Sequence, residues 1–313
     1  NVVGSCENLN DKSKNSKDMI DLLDITPHQV SRDLRGYSVF LYGDPKSGKT
    51  TTATKFPKHM LLAFEKGYNA IPGAMAQPIF SWGEFKKFAR ELKNDDVKAT
   101  FKTIIIDTAD IAYDYCSKYI CSQASDAQHE YESLGDIPYG KGYKMAELEF
   151  DQCMRDILML DYGLVLISHA TEKTFTATDG SQYDQIIPTL DNRARKICER
   201  TCDIIGYSHA EFDKENGGTK TWLELRGTPR YVAGSRFRYT PDRIEFSYDN
   251  LVKVIADAID EEAKNGGKVT TKKSNIHKEV TQEFDYDQLM TDINMIIGNL
   301  MNANQANSKK IKN

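Results

Sequence analysis

The sequence has no apolar run that approaches the length of a membrane span. Its most apolar stretches, such as residues 104–106 and 164–167, are only a few residues long, whereas a transmembrane helix needs roughly 20 apolar residues in succession. The first 18 residues also lack the apolar core of a secretory signal. We therefore predict a cytoplasmic protein that does not cross a membrane.

An excess of positive charge and a cysteine framework are also missing. The chain has 41 Lys and Arg against 46 Asp and Glu, a net charge of −5. This balance argues against nucleic acid coating the whole surface but permits a local basic groove.

Six cysteines in 313 residues fit reduced thiols better than a set of disulfides. Cys198, Cys202 and His209 lack the C-x-x-C partner that a zinc site usually needs, so we predict no zinc site.

Composition divides the chain into five segments. Residues 1–18 are polar and are predicted to be a disordered or tag-like tail. The segments that follow are a folded domain (19–247), a C-terminal helix (248–265), a linker (266–283), and an amphipathic helix with a polar tail (284–313).

From Tyr37 onward, short strand-like segments alternate with helical ones. The segments TIIID and LVLIS are apolar on both faces, which is typical of a parallel sheet covered by helices. Apolar residues spaced three or four apart predict helices over residues 82–92, 111–123 and 145–160. The segment TKTWLELRGTPRYVAG predicts a late β-hairpin with its turn at residues 227–229. The fold class is therefore α/β.

A phosphate-binding loop follows the first predicted strand, YSVFLY. Residues 43–50, GDPKSGKT, match G-x-x-x-x-G-K-[ST] at every fixed position and enter a predicted helix, which Pro57 must keep short. Backbone N–H groups of such a loop surround phosphate oxygens. Lys49 is expected to bridge the β- and γ-phosphates, and Thr50 to ligate Mg²⁺. The predicted nucleotide-binding set is Gly43, Asp44, Pro45, Lys46, Ser47, Gly48, Lys49, Thr50 and Thr51. The alternative is a glycine turn that binds no nucleotide.

An acidic residue ends the apolar strand TIIID. Asp107 at the carboxyl end of a neighbouring strand would hold Mg²⁺ through water, as the second half of a nucleotide site. The alternative is that Asp107 caps the helix that begins near Ala109. The predicted cofactors are ATP and Mg²⁺.

The order of these parts resembles the RecA-type ATPase core. More narrowly, it is similar to the phage-encoded RecA-like P-loop ATPases of the Sak type, which act in single-strand annealing and recombination and carry an AAA-family ATPase label. The resemblance covers residues 36–247 and neither terminus. It implies that the segment 19–247 is a RecA-like ATPase domain with a mainly parallel central sheet flanked by helices. The sequence pattern adds a late β-hairpin and a helical C-terminal extension.

The resemblance also implies roles for two residues at strand ends. Glu65 in LLAFEKGYN occupies the place of the carboxylate that activates the attacking water, although a Glu at a strand end is often only solvated. In LISHATEK, His169, or Ser168 beside it, takes the place of the residue that senses the γ-phosphate. RecA has Gln at this place, so His169 departs from the pattern. The alternative for His169 is a hydrogen bond to a backbone carbonyl.

Two segments are candidates for contact with single-stranded DNA. In RecA-like proteins the loop after the sensor lines the DNA path, and here it is residues 170–196, which end in basic residues. The second candidate is ESLGDIPYGKGYKM, which mixes stacking faces with phosphate partners. A flexible loop without this function is the alternative for each. The residues concerned are Arg193, Arg195 and Lys196 in the first segment and Tyr139, Lys141, Tyr143 and Lys144 in the second.

Arginines near the predicted late hairpin are candidates for catalysis in trans. RecA-like assemblies place basic residues for the adjacent active site in this region, which makes Arg226 and Arg236 candidates for stabilising transition-state charge in a neighbouring subunit. The alternative is that both are solvated.

The sequence as a whole predicts a Mg²⁺-dependent ATPase that binds single-stranded DNA and supports homologous recombination or annealing. We expect a homo-oligomer that works with a recombination or replication protein, in the host cytoplasm if a phage encodes it. Two alternatives remain open: a phosphotransferase acting on a small molecule or protein, and a nucleotide-dependent scaffold or loader that binds a protein through its C-terminal helix.

Overall fold

A computed structural model describes residues 29–31, 36–214, 217–270 and 295. The chain divides into two compact units, residues 1–275 and 276–313, and the elements described below belong to the first. The predicted tail at residues 1–18 lies outside the described residues, as does all of 284–313 except Met295. Within the described part, no helix is both long and apolar enough to span a bilayer.

Strands and helices alternate through the described residues. The strands are β1 Val30–Ser31, β2 Ser38–Gly43, β3 His59–Ala63, β4 Ala76–Pro78, β5 Thr103–Asp107, β6 Gly163–Thr176, β7 Gln182–Pro188, β8 Ile204–Phe212, β9 Thr219–Glu224, β10 Gly234–Ser235, β11 Arg243–Glu245 and β12 Val269–Thr270. The helices are α1 Lys49–Ala53, α2 Trp82–Glu91, α3 Asp95–Thr100, α4 Ala109–Ala124, α5 Lys141–Met159, α6 Asn192–Thr201 and α7 Tyr248–Lys264, with 3₁₀ turns at Gly67–Ala70 and Pro138–Gly140.

A ten-stranded sheet organises the unit, with a main path in the order β11-β9-β8-β2-β6-β5-β3-β4. Strands β8, β2, β6, β5, β3 and β4 are parallel to one another. Antiparallel strands are added by β9 and β11 at one edge, by β10 beside β8, and by β7 beside β6. The predicted fold class, α/β with a mainly parallel sheet, is confirmed.

Helices cover both faces of this sheet, as its apolar strands require. On one face α2, α4, α5 and α6 pack over side chains such as Phe40, Ile104 and Leu166. On the other face α7 and the segment after α1 pack over alternate residues of the same strands, such as Leu41 and Ile105. The sheet therefore lies between two helical layers.

The predicted helices form with small differences at their ends, for identifiable reasons. The Ser81 hydroxyl caps α2 by accepting the Glu84 N–H at 3.2 Å. The Ser247 hydroxyl caps α7 in the same way through Asn250. Helix α1 is five residues long, which confirms the short helix expected before Pro57.

The predicted turn of the late hairpin is wrong. Strand β9 pairs antiparallel with β8, which precedes it, and with β11 further along the chain, whereas residues 228 and 231 form only an isolated bridge near the predicted turn. The turn instead lies between β8 and β9, where Gly217 and Gly218 have φ of 66° and 117°. Glycine adopts such angles without steric cost. A late hairpin is present, but the glycines of the upstream ENGG segment form its turn.

Two further segments differ from expectation. The segment at 170–196 contains regular structure, because β6 continues to Thr176, pairs antiparallel with β7, and is followed by α6. In the predicted linker, Val269 and Thr270 pair in parallel with Val30 and Ser31. Residues 271–283 of the predicted linker lie outside the part of the chain that the structure describes.

Candidate nucleotide-binding site

The phosphate-binding loop begins where β2 passes Ser208 of β8. Gly43 has φ of 151°, and a Cβ atom on it would lie 1.9 Å from the Ser208 carbonyl oxygen. The Asp44 N–H donates to that same oxygen at 3.0 Å, and the hydroxyls of Ser47 and Ser208 lie 2.7 Å apart. Only glycine fits at position 43, and Ser208, which the sequence did not indicate, holds the start of the loop.

The loop then turns into α1 through two residues in the left-handed region. Lys46 and Gly48 have φ of 62° and 84°, and the space beside Gly48 is open. The buried Lys49 ammonium donates to the carbonyl oxygens of Gly43 at 2.9 Å and Asp44 at 2.7 Å. Burial lowers the pKa of Lys49, and nearby carboxylates, Asp107 first among them, oppose this effect. The ammonium therefore lies across the loop, and phosphate oxygens could replace the two carbonyl oxygens that now accept its hydrogen bonds.

Thr50 and Asp107 meet as predicted. The Thr50 hydroxyl donates to Asp107 Oδ2 at 2.7 Å, although the two residues belong to α1 and β5. Asp107 is 3% exposed, and burial raises its pKa to about 6, with the Thr50 hydrogen bond acting against this rise. The helix cap at α4 is formed by Thr108, without a side-chain hydrogen bond, so the alternative of Asp107 as a cap does not describe this geometry.

Glu65 and His169 face each other across the same cleft. Glu65 follows β3, and His169 lies in β6 in register with Gly43. Glu65 Oε1 and His169 Nε2 are 3.4 Å apart, and the two side chains are 33% and 40% exposed. His169 Nδ1 is buried without a hydrogen-bond partner among the described residues, so the backbone-carbonyl alternative for this ring is not observed.

These side chains open into one cleft of about 500 Å³. Of the predicted nucleotide-binding residues, Gly43, Asp44 and Ser47 do not line it, because they face Ser208 and the Lys49 ammonium instead. The lining residues are Pro45, Lys46, Gly48, Lys49, Thr50, Thr51, Glu65, Lys66, Gly67, Ala70, Ile71, Asp107, Ile167 and His169.

The oxygen atoms at the base of the cleft fit a magnesium ion. Thr50 Oγ1 and Asp107 Oδ2 are hard ligands placed side by side, as Mg²⁺ prefers. Asp107 is buried and Glu65 adds further negative potential, so a divalent cation would favour the ionised carboxylate. When bound, Mg²⁺ would neutralise charge on the phosphate oxygens. Thr50 and Asp107 are the residues that would hold it.

The sequence analysis did not identify Asp110 as part of this neighbourhood. Asp110 lies in the first turn of α4, and its charge acts on Lys49. Its Oδ1 atom accepts hydrogen bonds from the hydroxyls of Ser168 and Thr189. The position of Asp110 three residues after Asp107 was the only signal in the sequence that could have identified it. Its hydrogen-bond partners Ser168 and Thr189 come from distant parts of the chain.

The candidate DNA-contacting segments meet each other. The Arg193 guanidinium lies 4.5 Å from the centre of the Tyr143 ring. Tyr139 is 94% exposed, and the Lys141 ammonium lies 5.7 Å from its ring centre. The structure therefore brings together the ends of the two segments that the sequence analysis treated separately.

The candidate trans-acting arginines have partners in their own chain. The Arg226 guanidinium donates to the backbone carbonyls of Ser235, Phe237, Arg238 and Thr240. Arg236 forms an ion pair with Asp203 at 2.9 Å. These contacts give Arg226 a structural role, and the role of either residue in trans stays a prediction.

The residues considered for zinc do not come together as one group. Cys198 and Cys202 are buried beside α6, where burial raises the pKa of the Cys198 thiol. His209 lies on β8, and its Nε2 atom is 2.9 Å from Glu224 Oε1. Within the described residues no cluster of three or more His, Cys, Asp or Glu side chains could hold a metal.

A phosphate-binding loop facing an acidic strand end, at the open edge of a mainly parallel sheet, defines a P-loop nucleotide-binding protein. The family model described as "AAA domain" matches residues 35–237, about two thirds of the chain. The chain belongs to this AAA domain family.

The chain is also similar to one curated relative and to two solved structures. The chain is 29% identical over 283 residues to the SPbeta prophage-derived uncharacterized protein YorG of Bacillus subtilis (strain 168), covering 88% of this chain and 84% of YorG. It is also similar to a KaiC-like protein of Pyrococcus horikoshii OT3, with 13% identity, 62% and 80% of the two chains covered, and a TM-score of 0.35. It is similar as well to the flagellar accessory protein FlaH of Methanocaldococcus jannaschii, with 10% identity, 68% of this chain and 85% of FlaH covered, and a TM-score of 0.35.

Proposed function

We propose that this protein is a Mg²⁺-dependent ATPase of the Sak type, whose ATP turnover is coupled to binding of single-stranded DNA. It would act as a homo-oligomer in phage-type recombination or annealing, in the cytoplasm of the host. The relative YorG is prophage-derived, which supports this setting. Membership in the AAA domain family supports ATP as the nucleotide.

One observation carries the enzymatic part of the proposal. Glu65 and Asp107 line the same cleft as Lys49 and Thr50. Lys49 would stabilise phosphate charge once it exchanges its carbonyl partners for phosphate oxygens, and Glu65 would accept a proton from the attacking water. His169, 3.4 Å from Glu65, is placed to orient this carboxylate.

Exposed aromatic rings next to cations support the DNA part. Tyr139 with Lys141 forms one such platform near the start of α5. In the hairpin formed by β6 and β7, the Phe175 and Tyr183 rings stack with centres 5.9 Å apart, and Lys173 lies over Phe175. Such surfaces bind single strands by stacking bases and pairing phosphates, without reading sequence.

The test of catalysis is ATP turnover by the purified protein with Mg²⁺. We expect Glu65→Gln to bind ATP normally and to lose about 10²- to 10⁴-fold in turnover, and Lys49→Ala to lose binding as well. Glu91→Gln and Lys87→Ala, on the surface of α2, are matched controls. Turnover by Glu65→Gln equal to that of the wild type would refute the role of Glu65, and transfer of phosphate to an acceptor other than water would favour a phosphotransferase.

The test of DNA coupling adds a single-stranded oligonucleotide to the same assay. We expect the oligonucleotide to raise turnover, and Tyr139→Ala to weaken its binding by a factor of roughly 5 to 150, which corresponds to loss of one stacked base. Phe80→Ala removes an aromatic ring that is 72% exposed ahead of α2 and serves as the control. Absence of DNA binding in the presence of ATP would refute this part of the proposal, and native mass measurement would decide the oligomeric state.

A further inference from the structure

One carboxylate oxygen of helix α4 accepts hydrogen bonds from both sides of the base of the β6–β7 hairpin. Asp110 lies three residues after Asp107, in the first turn of α4. Its Oδ1 atom accepts the Ser168 hydroxyl at 3.0 Å and also the Thr189 hydroxyl. Ser168 belongs to β6, and Thr189 directly follows β7. The base of the hairpin is therefore tied to the helix that begins behind the nucleotide site.

The same contacts hold the backbone of His169. The Thr189 N–H donates to the His169 carbonyl at 3.0 Å, and the Ser168 hydroxyl lies 3.1 Å from that carbonyl. The His169 side chain faces Glu65 at the cleft. A shift of His169 on binding or losing a γ-phosphate would therefore move Ser168 and Thr189, whose hydroxyls donate hydrogen bonds to Asp110.

The observed arrangement leaves polar atoms unsatisfied at this junction. Asp110 Oδ2 and His169 Nδ1 are both buried and lack hydrogen-bond partners among residues that the structure describes. A buried polar atom without a partner costs about 1–3 kcal/mol. An unsatisfied buried group of this kind points to stored strain, to a functional role, or to a bound water or ion.

We propose that Asp110 is a positioning residue that couples the occupancy of the γ-phosphate position to the β6–β7 hairpin, through Ser168, Thr189 and the backbone of His169. This inference rests on the proposed function, since it requires that the cleft bind nucleotide. Its structural basis is the sharing of one carboxylate oxygen by the hydroxyl of Ser168 in β6 and that of Thr189, which directly follows β7. The hairpin then has two positions whose populations the nucleotide changes.

A purely structural role for Asp110 makes a different prediction. A carboxylate in the first turn of a helix stabilises that helix through the helix dipole. Its removal would loosen the hairpin or α4 equally with and without nucleotide. A coupling role instead predicts loss of the difference between the two states. The quantity to measure is therefore the ratio of the hairpin's exchange rates with and without bound nucleotide.

The experiment is amide hydrogen exchange of residues 170–188 in the full-length protein. It compares the free protein with the protein saturated by a non-hydrolysable ATP analogue and Mg²⁺, after the affinity for the analogue has been measured. The variants are Asp110→Asn, which keeps the size of the side chain, and Thr189→Val, which removes one hydroxyl but keeps the backbone N–H. Asp114→Asn, an exposed position one turn further along α4, is the matched control.

In the wild type and in Asp114→Asn we expect the analogue to change hairpin exchange by about 5-fold or more, the lower end of usual coupling between sites. In Asp110→Asn and Thr189→Val we expect unchanged affinity within a factor of about three but less than a twofold change in exchange. An equal response in Asp110→Asn and the wild type would overturn the inference. Binding of the analogue without any hairpin response in the wild type would overturn it while leaving the proposed function intact, and no binding would overturn both.

Discussion

Replacing Asp107 by Asn should stabilise the nucleotide-free protein at neutral pH while removing its response to Mg²⁺ and ATP. Asp107 is buried, and its pKa is raised from 3.8 to about 6 chiefly by that burial. At 1.36 kcal/mol per pKa unit, this rise corresponds to roughly 3 kcal/mol of destabilisation when the carboxylate is charged. Asn has almost the same size and keeps an oxygen that can accept the Thr50 hydroxyl.

The sign of the pH dependence follows from the direction of this pKa change. Because the folded state binds the Asp107 proton more tightly than the unfolded state, stability falls as the pH rises from about 4 to about 6. Above about pH 6 the full cost is present. The advantage of Asp107→Asn should therefore be up to roughly 3 kcal/mol at pH 7.5 and should disappear below about pH 4.

Urea denaturation at pH 4, 5, 6 and 7.5 would measure this difference. Asp242→Asn, at an exposed position, is the control. With Mg²⁺ and ATP present, the wild type should gain stability in proportion to ligand binding and the variant should not. A variant no more stable than the wild type at pH 7.5, or an advantage that persists unchanged at pH 4, would show that burial of the Asp107 charge is not the cause.

Two further substitutions test the structural roles assigned above. Gly43→Ala should cost about 3 kcal/mol of unfolding free energy and abolish ATP binding, because its Cβ would meet the Ser208 carbonyl at 1.9 Å. Gly234→Ala, which has open space beside it, should be nearly neutral, and thermal denaturation would compare the two variants. Arg226→Met should cost about 3 kcal/mol because backbone carbonyls lose their donors, whereas Arg236→Met should cost at most about 1 kcal/mol, as for an exposed ion pair. Loss of ATPase activity in Arg226→Met with unchanged stability would instead support a role in trans.

The parts of the site that lie close together in the sequence were predicted correctly. Residues 43–50 form a loop that enters the short helix α1. Thr50 contacts Asp107 across 57 positions of sequence, and the nucleotide and metal roles of these residues stay predictions. The loop motif specifies its own backbone, and Pro57 limits the helix locally. Burial of β5 on both faces was also predictable, because a strand of consecutive apolar residues fits only inside a covered sheet.

The sequence by itself determined the phosphate-binding loop, the acidic strand end and the α/β class, because each depends on contiguous residues or on local periodicity. Only the tertiary structure decided that Ser208 holds the loop, that Ser168 and Thr189 share Asp110, and that β9 pairs with β8. These contacts join residues between about 10 and 160 positions apart, and their formation depends on strand order and register. Short-range patterns contain no information on which strand will lie beside another.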